Sequence, residues 1–435
     1  MKLYMVKFFY IFLFAWLNLS CNANKKEMPV VFNGDVFDDA HLHELKLYFA
    51  SENYWDSLVW NKKLKDSLEV SKYLKCNLII DGTQINDIGV RFKGESSYDF
   101  TKGKKKSFKL DLNRFVRKQK YCGVSRFNLN NNYKDPSFMR EKLSLDMMSE
   151  QGLPSPKSAF AKVYLKNEYW GVYLLVENID KTFLKRNFKN NSGNFYIGEP
   201  NGTLDKLNTT ENYYRSYRKK NNKKRNDWTD LIQFIDLVNS KKSEVVQTAE
   251  LDSMFATDAC LKTWAINNLM VNVDAYNMMY PHNYFLYHDS LTKRIHWINY
   301  DYNYSFAAWN PKFIYEDVIN FPIYFCNEKH PFAKLILENN ISLKKRYTDH
   351  LTNLVNSCLN EEKINAAIKK YQSLINEAVL ADNKKEYSNE EFEQNLDKTI
   401  GDKNDPGAFI PGLREFVHDR KIAIAKQLEK ETLLN

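Results

Sequence analysis

Apolar and polar residues alternate along Phe108-Lys109-Leu110-Asp111-Leu112, with Lys109 and Asp111 opposite the three hydrophobic side chains. A period of two predicts a half-buried strand that points Lys109 away from its apolar face. Gly89-Val90-Arg91-Phe92 predicts a neighbouring strand, with the small-residue turn Gly94-Glu95-Ser96-Ser97 after it. Upstream, residues 75–90 read as two strands joined by Asp81-Gly82-Thr83, because Asp-Gly favours a tight hairpin turn. Alternation over residues 41–48 predicts a strand with outward polar positions. This reading takes precedence over the metal chemistry that His41, His43 and Glu44 suggest. Residues 161–165 and 171–176 predict two more strands around Asn167-Glu168.

The pattern then changes. Asp135-Pro136 predicts a helix start, with Asp135 as N-cap and Pro136 in the first helical position. Glu141 falls in the second turn of that helix, Gly152 closes it, and Pro154 and Pro156 prevent a restart. From Asp227 onward the apolar period is mostly helical, through Trp228, Leu231, Ile232, Ile235 and Leu237, then over 256–272, 332–337, 343–354, 363–381 and 413–428. Short strands at 284–287 and 295–298 interrupt the helices. Strands with one helix, followed by mainly helical chain, predict an α+β protein. The expected organisation is a signal at 1–21, a linker at 22–34, an α+β part at 35–180 and a mainly helical part at 181–435.

The N-terminus adds a destination. Lys2 and Lys7 precede an apolar run from Phe8 to Leu17, too short to span a bilayer comfortably, and Leu19-Ser20-Cys21 follows. This resembles a bacterial lipoprotein signal with Cys21 as the lipidated residue, so export and anchoring to a bacterial envelope membrane are expected. The cysteines are scattered without a Cys-x-x-Cys pair, which argues against a cysteine metal cluster. The net charge of +9 is partly local, in the run from Arg215 to Arg225. With only Tyr217 interleaved, that run lacks the stacking aromatics of a nucleic-acid surface and reads as a solvated loop, with a phosphate- or acid-binding arm as the alternative.

Candidate chemistry gathers at two places. Around the turn at Gly94, Ser96 and Ser97 can present backbone N–H groups to an anion, while Arg91, Lys93, Lys106 and Lys109 supply positive charge. This is a nucleotide-phosphate clamp in outline. Flanking the 284–298 hairpin stand Asp274, Asn283 and Asp301. The order Asp, Asn, strand, Asp suits phosphoryl transfer, with one carboxylate orienting the nucleophile and the other acid and the amide holding Mg²⁺.

These blocks, together with Asp135-Pro136-Ser137-Phe138-Met139-Arg140-Glu141, the stretch from Gly171 to Asp180, and Gly193-Asn194-Phe195-Tyr196, resemble the CotH (spore coat protein H) kinase family over about residues 35–347. The resemblance implies a protein-kinase-like, two-lobed α+β fold, with a β-rich N-terminal lobe carrying one key helix and a mostly helical C-terminal lobe. It implies ATP with Mg²⁺ or Mn²⁺, Lys109 or less readily Lys106 on the phosphates, and Glu141 as the lysine's partner. Glu177 would meet the adenine, Asp274 would be the catalytic aspartate, and Asp301 with Asn283 would hold the metal. Asn303 stands where the family often has a further Asp. The expected function is an exported kinase that phosphorylates Ser or Thr of another exported protein. The alternative is a surface adhesin or binding module on an inactive kinase-like scaffold.

Overall fold

The computed structural model describes residues 34–68 and 70–434. The signal segment and Cys21 lie outside the described residues. Seven strands form a closed barrel: β1 (His43–Tyr48), β2 (Leu74–Ile80), β3 (Thr83–Phe92), β4 (Phe108–Asp111), β5 (Arg126–Asn130), β6 (Ser158–Leu165) and β7 (Glu168–Glu177). They run round the ring in the order β1-β2-β3-β4-β5-β7-β6. Strand directions cannot alternate all the way round an odd-numbered ring, and the parallel pair β1·β6 is where alternation fails. Leu45, Leu78, Val90, Phe108, Leu110, Phe127 and Leu175 fill the interior. The period-two pattern thus set the correct faces for β3 and β4. His43 is the exception to the expected strand at 41–48: it is fully buried on the inward row rather than outward.

Closure corrects the expected fold. A protein-kinase-like, two-lobed arrangement is not what the chain forms, because its N-terminal strands close on themselves. The barrel's outer face is also built into the helical core. Phe160 of β6 and Val172, Leu174 and Val176 of β7 pack in one continuous cluster with Leu143, Trp264, Phe332 and Phe416. The resemblance carried the strands in order, but ring closure depends on β1 meeting β6, more than 100 residues away, and no local pattern encodes that pairing.

A second sheet has the order β11-β10-β8-β9, from β8 (Phe195–Ile197), β9 (Arg218–Lys219), β10 (Tyr284–His288) and β11 (Ile295–Asn299). The predicted hairpin is present, but as half of this sheet. Strand β9 comes from the basic run expected to be a solvated loop, and Lys219 is buried there under Asp227 O. The helix expected from Asp135 starts later, at Arg140–Glu150, which places Glu141 in the first turn. The cause is Phe138, held at φ +64°, outside the helical region. Asp135 instead accepts from the Arg140 backbone N–H at 2.8 Å and its guanidinium at 2.6 Å. All five described cysteines are free.

One buried ion pair ties the barrel to the C-terminal helices. Lys105 Nζ lies 2.5 Å from Asp382 Oδ2, and both side chains are buried. The same oxygen accepts the Val172 N–H at 3.1 Å. Gly171, at φ +112°, leaves the room: a Cβ there would sit 2.1 Å from that carboxylate. Asp382→Ala strands a buried ammonium, so a loss of about 3–5 kcal/mol is expected. Urea unfolding of the variant beside wild type measures it.

Candidate functional site

Residues paired across antiparallel strands share a face. Arg91 pairs with Lys109 and Lys109 with Asn128, so all three point outward from the barrel. Lys109 Nζ donates to Asn178 Oδ1 at 2.5 Å, and Asn178 Nδ2 donates to Asp180 at 3.1 Å. Among the described residues no carboxylate lies within ion-pair distance of the lysine. Burial and the neighbouring Arg91, Lys220, Lys93 and Arg126 hold its pKa well below the ordinary value. Such crowding of like charge costs energy until an anion enters. Lys220 comes from the basic run beside β9 and stays solvent-accessible. Sequence reading missed it because nothing local separates one lysine of a charged run from another.

Facing these cations is an acidic group built on the second sheet. Tyr284 pairs with Asn299, so Asn283 and Asp301 flank the same end of the β10–β11 hairpin. Both adopt left-handed backbone, at φ +62° and +64°, which Asn and Asp tolerate better than other side-chain-bearing residues. Asp274 lies in the turn after the helix Thr257–Leu269. Its Oδ1 accepts from His282 Nε2 at 2.8 Å. Its Oδ2 and backbone O accept from Asn283 Nδ2 at 2.7 and 3.0 Å. Both amide hydrogens of Asn283 are thus spent on Asp274, leaving Oδ1 as its free ligand atom. Burial opposes a charged His282, but Asp274 outweighs it and raises the imidazole's pKa.

Lys93 joins the two groups. Its Nζ donates to Asn130 Oδ1 at 2.6 Å, and Asn130 Nδ2 donates to Glu141 Oε2 at 2.7 Å. Burial, reinforced by Asp301 and opposed by Lys93, pushes Glu141 up to about 7. Asp301 is likewise raised by burial, with Asp274 adding to the effect and Lys93 opposing it. Tyr300 donates its hydroxyl to Glu199 at the edge of this group. The arrangement is a carboxylate cluster with too little positive charge beside a cation cluster with too little negative charge.

The sequence-predicted residues divide accordingly. The structure assembles Arg91, Lys93 and Lys109 in one group and Glu141, Asp274, Asn283 and Asp301 in the other. It does not pair Lys109 with Glu141, since Asn178 takes the lysine and Asn130 takes the glutamate. Lys106 Nζ is spent on the carbonyls of Tyr98 at 2.5 Å and Thr101 at 2.9 Å, which hold the loop after the Ser96–Asp99 helix. Ser97 Oγ packs against Gly94, where it leaves no room for a Cβ, and the φ of +87° there favours glycine as well. Ser96 is exposed in the same turn. Glu177 is buried and committed to Arg186 at 2.5 Å and the Lys157 N–H at 3.2 Å. His282, Asn130, Asn178 and Lys220 were missed. His282 had a signal in its position next to Asn283, while the others depend on tertiary contacts.

Glu141 carries a pH signature. In the unfolded chain its carboxyl titrates near 4.5, and in the folded chain near 7. Between those values the folded state binds the extra proton, so stability falls as pH rises through the window. Glu141→Gln should flatten that fall and leave the metal-free protein more stable at pH 8. Thermal melts across pH 4.5–8 in the presence of a chelator check the sign. An unchanged profile would remove Glu141 from the strained cluster.

A groove of about 850 Å³ lies elsewhere, between Lys162, Tyr164 and Tyr169 of the barrel and the helix Glu361–Leu380. It contains none of these charged groups.

Comparison with known proteins bears on the family. A family model described as CotH kinase protein matches residues 90–421. Inner spore coat protein H of Bacillus subtilis (strain 168) is 30% identical over 233 residues, which make up 51% of this chain and 59% of that protein. The chain therefore spans about three-fifths of the length of that curated relative. Because the family match takes in well over half of the sequence, the chain belongs to the CotH kinase protein family.

Proposed function

We propose that this protein transfers the γ-phosphoryl group of ATP to a Ser or Thr hydroxyl of another protein outside the cytoplasm. The observation that carries the reading is the placement of the cations Arg91, Lys93, Lys109 and Lys220 beside the buried carboxylates Glu141 and Asp301, which lack compensating charge, with Asp274 next to them on His282. A nucleotide triphosphate with a divalent cation supplies both missing charges at once. The reaction joins the acceptor oxygen to the γ-phosphorus and breaks the bond to the β–γ bridging oxygen, releasing ADP. Asp274 is positioned to take the hydroxyl proton, because His282 and Asn283 fix both of its oxygens while each keeps a free lone pair. Lys109, Arg91 and Lys220 bind and orient the phosphates.

The donors available to a cation are all oxygens, on Asp301, Asn283 and Glu141, which fits Mg²⁺ or Mn²⁺. Bound there, the ion would neutralise charge on the phosphates. The name of the Bacillus relative places that protein in a spore coat. We extend to this chain only a position outside the cytoplasm, at an envelope membrane if Cys21 is lipidated.

Incubating the purified protein with γ-labelled ATP and Mg²⁺ or Mn²⁺, with itself and casein-like acceptors as targets, tests the reading. Label transfer supports it. Absence of both transfer and nucleotide binding would favour the binding-module alternative. Within the site, Lys109→Ala is expected to weaken ATP binding more than Lys106→Ala, because Lys106 is already engaged by two carbonyls. Calorimetric titration of both variants decides this, and a stronger effect from Lys106 would reverse the assignment.

A further inference from the structure

A second cluster with ligand chemistry lies at the entrance to the barrel, ahead of the family-matched residues. His41, in the bend that leads into β1, and His43, the first residue of β1, bring their imidazoles to the same carboxylate. His43 opens the inward row of β1 and is fully buried, while the His41 side chain is 40% exposed. The β2–β3 turn reaches the same place because Leu45 pairs with Ile80. Asp81 and Gly82, at φ +46° and +79°, make a tight left-handed turn. Asp81 is fixed at both ends: its N–H donates to Glu44 O at 3.0 Å, and its Oδ1 accepts the Glu44 N–H at 2.9 Å.

The result is a His, His, Asp set of known spacing. His43 Nδ1 lies 2.8 Å from Asp81 Oδ2, and His41 Nε2 lies 3.4 Å from Asp81 Oδ1. The two imidazole rings stand 4.8 Å apart at 80°. One ligand atom from each of the three residues falls within 4.8 Å of the others.

We propose that His41, His43 and Asp81 bind one divalent transition-metal ion, with Zn²⁺ the best match, and that the ion clips the chain entering β1 to the β2–β3 turn. Two imidazole nitrogens and the Asp81 carboxylate, whose Oδ1 faces His41 and Oδ2 faces His43, suit Zn²⁺, Co²⁺ or Ni²⁺, and disfavour Mg²⁺ and Ca²⁺, which take oxygen donors. Bonds of about 2.0–2.2 Å put neighbouring ligands of a tetrahedral ion roughly 3.3–3.5 Å apart. The His41–Asp81 separation already has that length. The His43–Asp81 hydrogen bond opens by about half an ångström as the metal replaces its proton. His43 then ligates through Nδ1 with its ring proton on Nε2. The exposed His41 side leaves a path for entry and a fourth position for water. The acidic group at Asp301 is a separate site with different donors, so neither reading depends on the other.

The test uses the purified full chain, stripped with chelator and dialysed against Zn²⁺, with bound metal counted by mass spectrometry. Titration with Co²⁺, followed by its visible absorption, gives the affinity, and thermal melts with and without Zn²⁺ give the coupling to folding. Wild type and Asp301→Asn are expected to bind one ion with N/O ligation and to melt higher with Zn²⁺. His41→Ala, chosen because this side chain is exposed and its removal spares the core, should bind at least about tenfold more weakly and lose the shift in melting. His43→Gln should do the same if it folds. Wild type that retains no zinc, or His41→Ala that binds as tightly as wild type, overturns the proposal. So does metal binding that Asp301→Asn abolishes.

Discussion

Asp274→Ala is expected to lower phosphoryl transfer by about 10²–10⁴-fold while leaving nucleotide binding close to wild type, because positioned proton acceptors contribute on that scale. The carboxylate sits on the acidic side of the site and touches none of the cations assigned to the phosphates. Its oxygens are held by His282 at 2.8 Å and Asn283 at 2.7 Å, so its aim is set before any substrate arrives. Alanine frees both partners, which could loosen the hairpin end. Asp274→Asn is therefore the companion variant, since it keeps the shape and removes the basicity. Comparable losses in both variants, with ATP affinity retained, assign the effect to proton acceptance. Near-wild-type transfer in the asparagine variant would mean that Asp274 orders the turn and does no chemistry.

How much of this was legible in the sequence follows from the range of each interaction. Strand faces were readable because a period of two is local, and Lys109 is outward for the reason its neighbours predicted. The β10–β11 hairpin and the order Asp274, Asn283, Asp301 were readable for the same reason. Barrel closure was not, because it rests on β1 lying parallel to β6, a pairing whose two strands look like any other half-buried strands. The lysine's partner was also hidden. Analogy supplied Glu141, but the helix starts four residues later than the Asp-Pro signal indicates, at Arg140 rather than Pro136, and Asn130 reaches Glu141 first. Lys220 needed β9 to form inside a basic run, and the hydrogen bond from its backbone N–H to Phe195 O at 2.7 Å then fixes its place beside β8. The ion pair of the buried Asp382 was hidden because its partner, Lys105, is 277 residues away.

Asp301→Asn is expected to abolish Mg²⁺-dependent ATP binding and, with it, transfer. Asp301 follows β11 at the hairpin end that also carries Asn283, and its left-handed backbone turns the chain back toward Glu141 and Asp274. Burial and the nearby Asp274 carboxylate raise its pKa, and Lys93 opposes them only in part. The carboxylate is therefore held where a cation gains the most by binding. Asn303 contributes no charge, so Asp301 is the principal anionic ligand on the hairpin, with Glu141 across from it. Mg²⁺ commonly binds through one or two carboxylates together with phosphate oxygens and water. Removing one of two charges from such a set should cost more than removing one of several. The same substitution relieves repulsion within the acidic group, so the variant should fold at least as stably as wild type in chelator, and lost binding cannot then be ascribed to unfolding. Calorimetric titration with ATP, with and without Mg²⁺, provides the comparison, with melting curves as the control. If Asp301→Asn binds Mg-ATP as tightly as wild type, the metal is held elsewhere, and Glu141 is the next residue to replace.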